Sequence, residues 1–224
     1  AILDFKSMYP SIMIGKNICY TTRIEEGSTD QPEEGEEVYE APTGAKFRNE
    51  NGRRGMVPTL LEDLMSQRDT HKAGMRGAKD ESKRSYHDQM QYAVKILMNS
   101  FYGVFASGFY RFTHRHLGES ITAWARKNIK TIIQKLGDEG HHVVYSDTDS
   151  IFVKTPVEGI DDPKEAMVEF GHSTAERFSE KSAELEFETG MSVFFSHGAK
   201  KRYVGQVVWP KESMMVKGYE TQRT

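Results

Sequence analysis

Tyr145-Ser146-Asp147-Thr148-Asp149-Ser150 lies between Gly140-His141-His142-Val143-Val144 and Ile151-Phe152-Val153-Lys154, two runs rich in β-branched and aromatic residues. Such runs around a short polar break predict a β-hairpin, and its turn carries two carboxylates. Asp147 and Asp149 are two residues apart, so on extended backbone they share a face, and at a tight turn both can lean toward one ion. Hard divalent cations such as Mg²⁺ take carboxylate oxygens and keep water or substrate phosphate in their other positions. Asp-x-Asp on a hairpin therefore reads as half of a metal site. Asp and Ser are also ordinary turn formers, and a third carboxylate elsewhere has to decide between the two readings.

Working outward, 224 residues allow one large domain or two small ones with ample core. Lys and Arg number 30 against 33 Asp and Glu, a net charge of -3. Nucleic-acid binding must then come from local clusters rather than from an overall basic surface. Cys19 is the only cysteine, which excludes an internal disulfide and a cysteine-based zinc site and fits an intracellular setting. No apolar run is long enough to span a membrane, and no signal-peptide pattern is present. We expect a segment of a longer polypeptide, since the chain opens without Met on the strand-like Ala1-Ile2-Leu3-Asp4-Phe5 and stops at Gln222-Arg223-Thr224 without closing a pattern.

Asp4-Phe5-Lys6-Ser7-Met8-Tyr9-Pro10-Ser11-Ile12 supplies the third carboxylate. Asp4 follows an apolar strand start and Pro10 ends regular pairing, so Ser7, Met8 and Tyr9 are expected on a tight connection whose N–H groups can bind an anion. Residues 23–55 form an acidic excursion, expected as a solvated loop with turns at Pro42-Thr43-Gly44 and Asn51-Gly52. From Val57-Pro58-Thr59 onward, Leu61, Leu64 and Met65 mark a helix. A second helix, after a turn within Lys79–Arg84, should carry Met90, Val94, Leu97 and Phe101 on its apolar side, with Lys95, Asn99 and Tyr102 about 140° away. Arg68, Lys72 and Lys95 on such an antiparallel pair suit a polyphosphate, although each alone reads as a solvated cation.

Beyond the aromatic run Phe109-Tyr110-Arg111-Phe112, Ile121, Ala125, Ile129, Ile132 and Leu136 share one helical face, with Gly137 as the expected stop and Trp124 in the core. Asp162-Pro163-Lys164-Glu165 is a capped helix start. Ala183–Glu188 alternates as a strand with one solvated face, from which Glu186 or Glu188 can approach the carboxylates. His141, His142, His172 and His197 lack ligand spacing. Lys200-Lys201-Arg202-Tyr203, between the apolar strands 193–195 and 204–208, can grip a sugar-phosphate backbone.

Taken in order, these stretches resemble the family B DNA polymerases. Asp4–Ile12 looks like the first palm motif, with Met8 where Leu is commoner. Lys95-Ile96-Leu97-Met98-Asn99-Ser100-Phe101-Tyr102-Gly103 is similar to the fingers motif, Tyr145–Ser150 to the Asp-Thr-Asp motif with Ser146 where Gly is frequent, and Lys200–Tyr203 to the Lys-Lys-x-Tyr element. The resemblance implies an α+β fold: a palm of antiparallel sheet backed by helices, with an inserted antiparallel helical-hairpin fingers subdomain. It divides the chain into residues 1–56 (first part of the palm), 57–103 (fingers) and 104–224 (second part of the palm). Asp4 and Asp149 are implied to bind two Mg²⁺ ions, for which Mn²⁺ can substitute, with Asp147 assisting.

Arg68, Lys72 and Lys95, with the backbone at Ser7 and Met8, are implied to hold the dNTP triphosphate, and Lys95 to donate a proton to pyrophosphate. Tyr9 resembles the steric gate against a 2′-hydroxyl. Asn99 is implied to back the nascent base pair, and Tyr102 to probe its minor-groove side. Implied partners are primer-template DNA, dNTPs, the remaining polymerase domains and, through regions outside this chain, a sliding clamp. The spacing suggests a cellular relative, cytoplasmic and nucleoid-associated if archaeal. The amino-terminal, exonuclease and thumb domains of complete members are not seen, the thumb following the region matched by Lys217-Gly218-Tyr219-Glu220. Two other classes stay open: an inactive polymerase-like scaffold, against which retention of the three carboxylates, the cations and Tyr9 argues, and a two-metal nuclease, which leaves Asn99 and Tyr102 unexplained.

Overall fold

The computed structural model describes residues 1–180 and 182–219; Glu220 and Gln222–Thr224, named above, lie outside them. Two compact units are present, one of residues 1–6 with 128 onward, the other of residues 7–127. The α+β expectation is borne out.

The first unit is built on an antiparallel sheet of six strands: β1 (Ile2–Phe5), β5 (Val143–Asp147), β6 (Ser150–Val153), β7 (Leu185–Phe195), β8 (Tyr203–Trp209) and β9 (Ser213–Lys217). Their order in the sheet is β5-β6-β1-β7-β8-β9. The expected hairpin is β5–β6. β1 is inserted between β6 and β7, an arrangement its apolar Ile2, Leu3 and Phe5, all buried, support from both faces. Leu185 and Phe187 on β7 are buried while Glu186 and Glu188 are exposed, as the alternation requires. Sequence reading separates 183–188 from 193–195, but they are one strand of 11 residues, which register shifts around Met191 carry through.

Helix α5 (Pro163–Phe178) backs this sheet. Its start is as expected: the Asp162 carboxylate accepts from the N–H groups of Lys164 and Glu165 at 3.1 and 2.9 Å, and Pro163 occupies a first-turn position where no N–H is needed. Gly171 lets the helix approach the sheet. A Cβ there would stand 2.4 Å from the Phe187 ring, which is itself stacked on Trp209 at 4.5 Å between centroids. The ring has nowhere to retreat.

The second unit holds α1 (Met8–Gly15), a small sheet of β2 (Arg23–Ile24), β3 (Val38–Glu40) and β4 (Lys46–Arg48), and the long helices α2 (Met56–Gly77) and α3 (Glu81–Ala106). It also holds the first half of α4 (Arg115–Asp138), whose Trp124 is buried against Phe47. Buried Asn17 joins three of these parts. Its amide donates to the carbonyls of Arg48 and Arg53 at 2.8 and 2.7 Å, and its oxygen accepts from Gly55 N–H at 2.9 Å. The acidic excursion is not simply solvated. Arg48 is buried and donates to Glu36 and Asp30 at 2.6 and 2.8 Å, so two of the acidic residues close the loop over a cation.

Two helix details differ from the sequence reading. Leu97 is exposed, and the buried residues of α3 are Val94, Met98 and Phe105, a face that shares Val94 with the expected one and is centred about 50° around from it. Periodicity alone cannot separate two adjacent apolar stripes when the helix packs through only one. The stop after α4 is Gly140 rather than Gly137: at φ 82° Gly140 lets His141 N–H return to the Leu136 carbonyl at 2.8 Å.

Gly171→Ala is expected to destabilise the chain by about 1–3 kcal/mol, where helix propensity alone would favour Ala; urea unfolding of the two proteins measures the sign.

Candidate functional site

In the first unit the cross-strand register lines up the carboxylates. Asp147 is opposite Ser150, Ser150 opposite Asp4, and Asp4 opposite Glu186. Directly opposed residues on paired strands project from the same face, so β5, β6, β1 and β7 contribute one row of three carboxylates and a hydroxyl. The Ser150 hydroxyl donates to Asp4 Oδ1 at 2.8 Å across 146 positions of sequence. Asp149 sits in the turn itself: its N–H reaches the Asp147 carbonyl at 2.7 Å, and its own carbonyl accepts from Phe5 N–H at 3.0 Å. The turn is therefore locked to β1 next to Asp4. Glu186, which the strand alternation lets approach the carboxylates, falls in the same row. Ser150, given no role from sequence, is the residue that orients Asp4; its place in the motif was the available signal.

The Lys200–Tyr203 element lies beside this row. Lys201 N–H donates to the Tyr145 hydroxyl at 2.8 Å, and its ammonium stands 3.7 Å from Asp147 Oδ2. That side chain is 72% exposed, so the ion pair is weak. Its meaning is that Asp147 faces a cation. Tyr203 packs on Tyr145 and Phe152 at 5.5 and 5.2 Å between ring centroids; burial, with Tyr145 and the nearby carboxylates, pushes its phenol pKa up. Lys200 and Arg202 are exposed. Gly218, at φ 68°, seals the turn, since a Cβ there would stand 2.3 Å from the Lys201 carbonyl.

In the second unit Ser7 precedes α1 in a left-handed conformation (φ 48°). The expected connection is tighter than sequence suggested: Met8, Tyr9 and Pro10 already form the first helical turn. The N–H groups there are those of a helix start, which lack intrahelical acceptors and carry the positive end of the helix dipole. Arg68 turns back to this point, donating from Nη1 to Ser7 Oγ at 3.1 Å. Its Nε is buried with no partner among the described residues, so Arg68 is not the solvated helix cation of the alternative reading. The Tyr9 and Tyr102 rings lie 4.4 Å apart between centroids. Lys95 and Asn99 are exposed one turn apart on α3, in line with half-buried Tyr102, and Lys72 is half-buried one turn beyond Arg68 on α2.

Non-glycine residues with left-handed φ among the described residues are Ser7, Asn17, Thr148 and Lys201. Three of the four belong to or adjoin the residues singled out above. Such a conformation is costly for Thr and Lys, and persists where the surroundings over-determine it.

The family model for DNA polymerase family B matches residues 1–224, and the chain belongs to the family B DNA polymerases. It is 37% identical over 230 residues to "DNA polymerase 2" of Aeropyrum pernix and 34% identical over 238 residues to the DNA polymerase delta catalytic subunit of Caenorhabditis elegans. All of this chain is covered in both cases, against 26% and 22% of those relatives. The structure of the family B DNA polymerase from Pyrobaculum calidifontis superposes with a TM-score of 0.71 at 27% identity, over 97% of this chain and 26% of that one. The chain thus spans about a quarter of the length of these relatives. No helix among the described residues is long and apolar enough to cross a membrane.

Tyr145→Phe is expected to raise the exchange rate of the Lys201 amide about fivefold, the equivalent of one lost hydrogen bond of about 1 kcal/mol, with the global unfolding midpoint nearly unchanged; hydrogen-exchange measurement on both proteins checks it.

Proposed function

We propose that this chain is the catalytic segment of a DNA-directed DNA polymerase, transferring a nucleotide from dNTP to a primer 3′-hydroxyl under template direction. The observation that carries the reading is the row Asp147–Ser150–Asp4 on one sheet face, with the Ser150 hydroxyl holding Asp4 at 2.8 Å. A row of oriented carboxylates from residues so far apart in sequence has little purpose in a structural sheet, where like charges side by side repel.

The donor set fits a hard divalent cation, carboxylate oxygen with neither thiolate nor imidazole among the candidates. Among the described residues no cluster of three or more His, Cys, Asp or Glu is already gathered tightly enough to hold an ion. Asp4 and Asp149, with Asp147 assisting, are the residues that would hold two Mg²⁺, or Mn²⁺ in its place. When bound, a metal pair lowers the pKa of the attacking hydroxyl and neutralises charge on the leaving pyrophosphate.

The remaining work falls to the chain's own side chains. Arg68, fixed to Ser7, and the N–H groups of Met8 and Tyr9 offer donors for triphosphate oxygens, a role that helix starts fill readily. Lys72 and Lys95 add positive charge, and Lys95 supplies the proton for pyrophosphate. Tyr9, backed by the Tyr102 ring, excludes a 2′-hydroxyl. A gate that is braced cannot yield to one extra oxygen. Asn99 supports the nascent base pair, and Tyr102 senses its minor-groove side. Lys200, Lys201, Arg202 and Tyr203 take the DNA backbone, with primer-template DNA, dNTPs and the remaining polymerase domains as partners. A sliding clamp would be engaged through regions outside this chain. The fingers are residues 57–103, between palm segments 1–56 and 104–224, and the setting is intracellular.

With this segment set between the amino-terminal half and the thumb of a relative, Mg²⁺-dependent addition of one complementary dNTP to a primer is the deciding measurement. Extension by the parent is expected, and loss of at least about 1,000-fold in Asp4→Asn or Asp149→Asn, with DNA binding largely kept. Folding and DNA binding without extension by the parent would leave a polymerase-like scaffold. In the same assembly Tyr9→Ala is expected to raise ribonucleotide incorporation, and Tyr102→Ala to raise it to a smaller degree; unchanged sugar discrimination in Tyr9→Ala removes the gate.

A further inference from the structure

Between α3 and α4 the chain turns through residues 107–114, and the tip presents Phe109-Tyr110-Arg111-Phe112. Phe109 is 99% exposed, with Tyr110 and Phe112 at 57% and 66%. Rings are amphipathic surfaces of large area and are usually buried. Three in four residues standing in water form a feature that needs an account.

The tip is held in place rather than loose. The Thr113 hydroxyl donates to the Tyr110 carbonyl at 2.8 Å, with the Ser107 carbonyl also against it. His114 N–H reaches the Phe105 carbonyl at 3.2 Å, and the Tyr20 hydroxyl donates to the Phe112 carbonyl. Beneath, the Tyr20 ring stands edge-on to buried Phe105 at 5.1 Å between centroids and to His114 at 6.2 Å. Arg23 Nη1 lies 2.9 Å from His114 Nε2; a guanidinium only donates, so the imidazole is neutral with its proton on Nδ1. Burial, Arg23 and His116 lower the His114 pKa in the same sense. The backbone is braced from below while the rings point away.

Their chemistry is not that of an apolar docking patch. Phe109, Tyr110 and Phe112 make no ring contacts with one another among the described residues, and the Arg111 guanidinium lies 5.9 Å from the Phe112 centroid. Residues 107–118 contain no carboxylate. Arg115 stands beyond the tip on the first turn of α4, paired with Glu119 at 2.6 Å, so the charge within the tip is that of Arg111. Separate ring faces with a cation among them match a stacked, anionic polymer with flat apolar units.

We infer that this tip is a stacking platform for unpaired bases of single-stranded DNA, Arg111 taking a phosphate. The inference rests on the polymerase reading, which supplies the partner, and extends it to a surface that reading leaves unused. Stacking on aromatic side chains tolerates any base sequence, as a template strand requires.

The test is fluorescence anisotropy of the 224-residue chain with labelled oligo(dT) and, separately, a blunt duplex. Phe109→Ala/Phe112→Ala is expected to weaken oligo(dT) binding by about 5- to 100-fold while leaving duplex affinity within about twofold, and Phe109→Trp/Phe112→Trp to restore it. Unchanged oligo(dT) affinity in an Ala variant with parental circular dichroism and melting point overturns the inference and makes the tip a protein contact. Parental binding of duplex but not of oligo(dT) overturns it as well, with the polymerase reading intact. Binding of neither overturns the inference and leaves the polymerase reading to the primer-extension assay.

Discussion

The antiparallel insertion of β1 between β6 and β7, marked by the Ser150 hydroxyl on the Asp4 carboxylate, is the constraint on which the candidate site depends. Without it Asp4 is an acidic residue at one end of the chain and Asp147 and Asp149 are turn residues at another. The insertion is driven by burial of Ile2, Leu3 and Phe5 in the sheet's core, worth roughly 1.5–3 kcal/mol for each fully buried large side chain. Hydrophobic burial thus offsets the repulsion of bringing carboxylates into one row. A register slip of one residue would turn Asp4 to the opposite face and bury it.

The second unit meets a similar demand by different means. Its polar side chains are committed to backbone and to one another: Asn17 ties the end of α1 to β4 and to the start of α2, and Arg48 gathers Asp30 and Glu36. These are hydrogen bonds of the buried or charge-assisted kind, whose loss costs more than their formation gains. They fix the end of α1 and the start of α2, the helix whose Arg68 returns to Ser7. Left-handed φ at Ser7, Thr148 and Lys201 shows where the chain accepts backbone cost to aim a side chain.

Two features gain meaning together. The Tyr9–Tyr102 pair and the braced aromatic tip at 109–112 both use rings, one half-buried against its partner and the other standing free. The difference is one of support. A ring packed on a ring is a wall with a fixed position, whereas a ring with two open faces is a surface waiting for a flat ligand.

Sequence alone determined much of this protein. The Asp-Thr-Asp hairpin, the capped start of α5, the alternation of β7, the helical pair and the ordered motifs of a family B polymerase were legible because each is local: turn chemistry, capping and periodicity act within a few residues. What lay hidden was decided by partners far apart in the chain. Which stripe of α3 is buried, the stop at Gly140, the continuity of β7 through its bulges, the role of Arg48 and the return of Arg68 to Ser7 all depend on what the fold sets opposite them. The row Asp147–Ser150–Asp4–Glu186 belongs to this second group, because strand register is a pairing property that no single strand encodes. The residues of the candidate site could be named from the sequence, and only the tertiary structure set its carboxylates side by side.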